Sequence, residues 1–171
     1  MSVLWTGGGA GRCVEVRAHG RTRRLYVDGV LHTSWHPGRA LTGSIWDHLA
    51  LSTFFVAEGG ARTALVLGVG GGAALQLLAR LAPPQRLVGI DVDQLMLRIA
   101  RRWFGVASGR GVELVRADAA TWLSEHPRER FDLVVDDLYL AADGLPVRPG
   151  SLPRNWWRRL AARVRPGACW S

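Results

Sequence analysis

The sequence predicts a doubly wound α/β fold, a mostly parallel sheet with helices on its faces, preceded by a small β-rich appendage. Three observations carry this. From Ala61 onward, short apolar runs alternate with segments of helical periodicity. The first, Ala64-Leu65-Val66-Leu67, is apolar throughout, as a strand covered on both faces requires. A glycine-rich turn, Gly68 to Gly72, stands where the first run hands over to the first helix. Alternating β and α elements of this kind close into a parallel sheet with crossover helices.

Residues 1–60 read as the appendage and a linking helix. Cys13-Val14-Glu15-Val16-Arg17 alternates, Gly20 permits a turn, and Arg24-Leu25-Tyr26-Val27 alternates again. Asp28-Gly29 is the strongest hairpin signal in the chain, with Val30-Leu31-His32 continuing beyond it. A helix is expected from Ser44, with Ile45 and Leu49 among its apolar positions and Gly59-Gly60 as its stop. Residues 61–171 read as the sheet domain. Its strands are expected at Ala64–Leu67, Arg86–Ile90, Val112–Val115 and Phe131–Val135. Helices are expected through Leu75, Leu78 and Leu81, from Gln94 to Phe104, and from Thr121 to Glu125. A last helix carries Trp156, Trp157, Leu160 and Val164, all expected against the sheet.

Composition narrows the function classes. A chain of 171 residues with 48% hydrophobic residues has the apolar material for one folded domain, which excludes disorder. A net charge of +8 invites a nucleic-acid partner. All the basic residues are arginines, however, scattered singly or in pairs without a long run, so nucleic acid is not expected as the main partner. Cys13 and Cys169 stand far apart with no CxxC spacing, which argues against a disulfide framework or zinc site and fits a reducing cytosol. No metal is expected. The N-terminus has no signal-like pattern, and the uncharged stretch between Arg62 and Arg80 is broken by glycines and Gln76. A cytoplasmic protein that does not cross a membrane is the expectation.

The candidate site lies at the strand ends. Gly68, Gly70 and Gly72 allow the backbone to turn tightly and a ligand to come close. Asp91 closes the second strand roughly twenty residues on, where its carboxylate can accept from both hydroxyls of a ribose. Together they point to an adenosine-containing cofactor. Asp93 suits the N-cap of the next helix. Asp118, followed by Ala119, ends the third strand, where a carboxylate can accept from an adenine amino group. Asp136-Asp137 ends the fourth, and adjacent acids at a crevice mouth are expensive unless they work or are well solvated. NAD is the rival cofactor, because Gly68-x-Gly70-x-x-Ala73 also satisfies the dinucleotide pattern. Four strand ends carrying the glycine loop, Asp91, Asp118 and Asp137 suit a mononucleoside with a cationic substituent better.

With these residues in view, the chain from about 24 to 168 resembles the spermidine synthase-like branch of the class I S-adenosylmethionine-dependent methyltransferase fold. The similar stretches are Tyr26 to His32, Leu67 to Gly72, Gly89 to Asp93, Arg116 to Asp118, Phe131 to Asp137, and Arg165-Pro166-Gly167 before a fifth strand. The resemblance implies a Rossmann-like sheet that binds S-adenosylmethionine or its decarboxylated form and transfers an aminopropyl or methyl group to a small, amine-like acceptor. It implies Gly68, Gly70 and Gly72 beneath the cofactor, Asp91 on its ribose, Asp118 and Ala119 by its adenine, and Asp137 facing the acceptor as base or anchor. His32, Asp47 and Tyr139 are candidate acceptor-binding residues.

The chain also departs from that family's pattern. Aminopropyltransferases carry an acid where this chain has Gly71, a Gln where it has His32, and a second acid where it has Leu140. A non-catalytic, adenosine-cofactor-binding or regulatory protein is therefore the second reading, and an NAD-dependent enzyme the third. Because Ala168 to Ser171 only begin the expected fifth strand, the edge along Leu133–Val135 is expected to be open, with a homodimer through it as one outcome.

Overall fold

The computed structural model describes residues 1–9, 11–41, 43–56, 60–106, 111–142 and 145–170. Its first half is an antiparallel meander of β1 (Ser2–Gly7), β2 (Val14–His19), β3 (Thr22–Val27) and β4 (Val30–Trp35), in that spatial order. The hairpin between β3 and β4 turns on Asp28 and Gly29, whose φ angles of 49° and 80° are both positive. That is the geometry an Asp-Gly pair supplies and a right-twisted ribbon needs. Alternation does the rest: Val14, Val16, Leu25 and Val27 turn to one face and are buried, while their neighbours are not. The short α1 (Trp46–Leu51) and a 3₁₀ turn (Ser52–Phe55) lead into the second half, shorter than the helix expected from Ser44. Ile45 precedes this helix and is exposed, and Gly59, the expected stop, lies outside the described residues.

The second half is a parallel sheet with helices on both faces. It is built from β5 (Thr63–Leu67), α2 (Ala73–Leu81), β6 (Arg86–Asp91), α3 (Gln94–Phe104), β7 (Val112–Arg116), α4 (Ala119–Glu125) and β8 (Phe131–Asp136). A hairpin of β9 (Leu140–Ala142) and β10 (Leu145–Val147) follows, then α5 (Trp156–Ala161) and β11 (Val164–Trp170). The strand order is β11-β8-β5-β6-β7. β5 is paired on one side with β6 and on the other with β8, so the chain reverses its winding at β5. Ligands bind at that reversal, outside the carboxyl ends of the strands.

Two apolar layers fill the faces of this sheet. Leu65, Leu67, Val88 and Ile90 pack toward α4 and α5, while Ala64, Val66 and Leu87 pack toward α2 and α3. A third cluster joins the halves: Val14, Val16, Leu25 and Val27 of the meander meet Met96, Ile99 and Phe104 of α3. α3 is thereby held on two sides. Asp93 caps its start, accepting from the Leu95 amide at 2.7 Å, and Gly105 ends it in the left-handed region.

Three expectations are corrected. The edge expected to be open is covered at Leu133 and Val134, because β11 pairs in parallel with β8, Cys169 opposite Leu133 and Trp170 opposite Val134. Arg165-Pro166-Gly167 lies within β11, where the register shifts between Val164 and Cys169, and not in a turn before it. A proline and a glycine at an edge-strand irregularity remove few ladder bonds, so the strand survives them. Trp157 is 54% exposed, and only Trp156 and Leu160 of α5 are in the core.

This pairing has a measurable consequence. In hydrogen exchange, the amides of Leu133–Val135 are expected to be as protected as those of Leu65–Leu67. Fast exchange confined to the β8 amides would show that β11 does not hold its place in solution.

Candidate functional site

Along the carboxyl ends of β5, β6 and β8 lies a cleft of about 830 Å³, closed on one side by the meander and on another by the β9–β10 hairpin. Its volume falls in the range of small-molecule and cofactor sites. Of the residues singled out from sequence, it brings together His32, Gly68, Gly70, Asp91, Asp137 and Tyr139. It does not bring in Asp47, Gly72, Asp118 or Ala119. Asp47 accepts from the amides of Gly43 and Ser44 at 2.7 and 3.3 Å, and so closes the turn before α1. Asp118 caps α4 through the Thr121 amide at 2.8 Å, and Ala119 is buried as the first residue of that helix. Gly72 caps α2 against Val106.

The glycine loop is held shut by its own hydrogen bonds. Asp91 Oδ2 accepts from the amides of Val69 and Gly70, both at 3.0 Å, while its Oδ1 accepts from Asp93 at 2.8 Å. The Gly71 amide donates to Thr33 Oγ1 at 3.0 Å. Gly68 donates to the Ile90 carbonyl and Gly72 to the Val69 carbonyl. Every amide from Gly68 to Gly72 therefore has an internal acceptor, and the loop keeps none for a pyrophosphate. A dinucleotide bound in the usual way needs those donors. Asp91, with roughly four lone-pair sites and three amides upon them, retains capacity for one further donor, such as one ribose hydroxyl. Burial raises its pKa, and the three amides pull in the opposite direction.

Gly68 and Gly71 are needed for different reasons. Gly68 takes φ +86°, and a Cβ there would lie 2.2 Å from the Asp137 carbonyl oxygen. The loop is thus seated against the backbone that presents Asp137. At Gly71 a Cβ would meet the Thr33 side chain at 2.7 Å. Thr33 is 1% exposed and comes from the meander. Sequence reasoning missed it; its only signal is its place next to His32.

The two acids after β8 divide their tasks. The Asp136 side chain is 2% exposed, and its Oδ2 accepts from Arg148 Nη2 and Trp156 Nε1, each at 2.7 Å. Arg148 is itself held between the rings of Tyr139 and Trp157, 5.5 Å from each centroid. Asp137 has no cation bound to it among the described residues. Burial, and then the Asp136 charge, push its pKa up to about 7, against a hydrogen bond from Trp46 and the field of Arg148. A carboxyl titrating near neutrality can take a proton from a reacting group. Near it, the buried Nε2 of His32 has no hydrogen-bond partner, and burial and then Arg12 lower the pKa of this imidazole. The neutral ring leaves a polar atom for a ligand to satisfy.

The described residues contain no cluster of three or more His, Cys, Asp or Glu side chains able to hold a metal, and no helix long and apolar enough to cross a membrane.

A family model described as a methyltransferase domain matches residues 64–165. In sequence, the chain is 26% identical over 150 residues to polyamine aminopropyltransferase 2 of Pseudomonas aeruginosa, covering 85% of this chain and 41% of that protein. It is 30% identical over 132 residues to the polyamine aminopropyltransferase of Mycobacterium tuberculosis, covering 73% of this chain and 24% of that one. The chain thus spans less than half the length of these relatives. In structure it is similar to a probable spermidine synthase from Corynebacterium glutamicum, with a TM-score of 0.80 at 17% identity over 99% of this chain and 63% of that one. A spermidine synthase in complex with the transition-state analogue AdoDATO gives 0.71 at 18% identity, over 95% and 55% of the two chains. At such identities the likeness is one of fold.

The raised pKa of Asp137 makes stability depend on pH. A carboxyl that holds its proton more tightly when folded contributes most below its unfolded value of 3.8, and the contribution is lost as pH rises through about 7. Asp137→Asn is therefore expected to melt above the parent at pH 8, by on the order of 2 kcal/mol, with the advantage shrinking toward pH 4. Thermal melts across that range check it; a constant difference would place the ionisation elsewhere.

Proposed function

This chain belongs to the methyltransferase-domain family and is spermidine synthase-like in sequence and fold; on that premise we propose that it binds S-adenosylmethionine or its decarboxylated form and transfers an alkyl group to a small nucleophile. The observation that carries the reading is Asp137, a carboxyl titrating near 7 in the same cleft as the glycine loop and Asp91. The residues fit a nucleoside of this kind. The loop has no donor left for phosphates, Asp91 has room for one hydroxyl, and a Cβ at Gly70 would have nothing closer than 3.7 Å.

When bound, either cofactor supplies an electrophilic carbon beside a sulfonium. Asp91 and Gly70 hold the ribose side, with Gly68 keeping the loop low enough to leave space above it. Asp137, whose backbone packs against Gly68, accepts the proton that the acceptor loses as its nitrogen or other nucleophilic atom attacks. Arg148 and Trp156 hold the Asp136 carboxylate at 2.7 Å each, and the charge of Asp136 beside it adds to burial in raising the pKa of Asp137. Tyr139 and His32 line the acceptor side. Such a reaction depends on positioning more than on strong acid–base assistance. The second reading, a binder without turnover, is favoured by the glycine at position 71, where the resembled enzymes carry an acid.

Two substitutions separate these roles. Asp91→Ala is expected to weaken binding of S-adenosylmethionine, or of methylthioadenosine, by about 1.5–3 kcal/mol in titration calorimetry, the range for a hydrogen bond to a charged group. Asp137→Asn is expected to bind the same ligands as the parent does while losing transfer to amines. If Asp91→Ala folds and binds undiminished, the ribose role is wrong. If the parent binds cofactor yet alkylates no amine, the binder reading takes its place.

A further inference from the structure

We propose that the acceptor is a primary monoamine with an apolar alkyl or aryl body, and not a diamine or polyamine; this rests on the alkyl-transfer reading above. The first ground is a census of carboxylates. Among the described residues the cleft is lined by Asp28, Asp91, Asp93, Asp136 and Asp137. Asp28 is exposed at the rim and accepts from the Cys13 amide at 2.7 Å. Asp91 carries three loop amides. Asp93 is paired with Arg12 at 2.5 Å and caps α3. Asp136 is buried under Arg148 and Trp156. Among the described residues Asp137 is the one of these five whose carboxylate carries neither a cation nor a backbone amide. Away from it a second ammonium would meet the Arg12 guanidinium, the field of Arg148 and carboxylates already engaged by amides or cations, which disfavours an added charge there.

The second ground is the character of the walls. Of the exposed large apolar side chains among the described residues, five gather at this one opening: Leu31 (38%), Ile45 (74%), Val92 (62%), Tyr139 (46%) and Leu140 (52%). Leu145 and Val147 of β10 extend the same surface along the hairpin. A contiguous apolar rim over a site with one acid is complementary to a molecule with one charged head and an apolar body. The aromatic face of Tyr139 suits an aryl group in particular.

The proton balance agrees. An alkylammonium that enters the cleft passes its proton to the ionised Asp137. The freed lone pair forms the new C–N bond as the C–S bond breaks, and the electron pair of that bond neutralises the sulfonium. One carboxylate serves both recognition of the head and removal of its proton, so no other acid is required.

The test is titration calorimetry of the 171-residue chain with 2-phenylethylamine and with 1,4-diaminobutane, at pH 8, with and without methylthioadenosine. The monoamine is expected to bind at least tenfold more tightly than the diamine. Leu140→Asp, a change at an exposed position, is expected to shrink that ratio by about tenfold by supplying a second acid. Equal or tighter binding of the diamine by the parent overturns the proposal, and so does failure of the monoamine to bind. Failure of methylthioadenosine to bind counts instead against the transferase reading, so the two conclusions fail separately.

Discussion

The grip of Asp91 on the glycine loop is the interaction on which the rest of the site depends. Two loop amides converge on one carboxylate oxygen at 3.0 Å, and a third amide from the following turn takes the other oxygen. Charge-assisted hydrogen bonds of this kind are among the stronger ones in proteins. Here they bind the carboxyl end of β6 to the loop that follows β5, across the point where the sheet reverses. Without them the buried carboxylate would lack compensation, and the loop amides would need water or a ligand. With them the loop is a preformed floor, and what binds above it does not have to organise it.

The same seat fixes the opposite wall. Gly68 passes so close to the Asp137 carbonyl that only hydrogen fits there, and the Asp137 amide donates back to Leu67 at 2.8 Å. The glycine loop and the backbone bearing the candidate base are therefore packed as one piece. Adjacent acids on such a piece would ordinarily repel one another at neutral pH. The conflict is resolved by unequal surroundings: Asp136 accepts from a guanidinium and an indole, and Asp137 has the Trp46 indole but no cation bound to it among the described residues. Asp137 is thereby left able to exchange a proton near neutrality.

What could be read from the residues follows from what the residues decide locally. The runs of β5, β6 and β8 are largely apolar and buried on both faces, and α3 has both its cap and its left-handed stop, so local preference and tertiary burial agree and these elements stand where expected. β1, with Met1, Val3 and Leu4 exposed, carries no such pattern and exists because β2 pairs with it. β11 contains Pro166 and Gly167, which locally oppose a strand; pairing with β8 overrides them. In the site, strand-end position located Asp91 and Asp137, because a parallel sheet delivers every such residue to one edge. It could not tell which strand-end acid enters the cleft. Asp118 lies two residues beyond Arg116, the β7 partner of Asp91, and α4 begins directly after it and takes its carboxylate as a cap. Thr33 was invisible for another reason: its partner, Gly71, is distant in sequence and comes near only because the meander folds back over the loop.

That last contact bears on the departures from the aminopropyltransferase pattern. Taken one at a time, a glycine where an acid is usual and an altered residue beside it look like decay of a working site. In three dimensions they are coupled. Thr33 is 1% exposed and donates to its neighbour's carbonyl while accepting from Gly71, so its hydroxyl is satisfied and its position is set. Any side chain at position 71 would collide with it. The missing acid is therefore the complement of a well-packed threonine, and the space it would have filled is closed by the appendage. A degenerating site leaves cavities and unsatisfied polar groups, whereas this one is closed by a buried, hydrogen-bonded contact across its two halves. His32, one residue from Thr33, lines the cleft, with its Nε2 buried and without a hydrogen-bond partner. A site rebuilt to bind something with fewer positive charges fits this pattern better than a site losing its function.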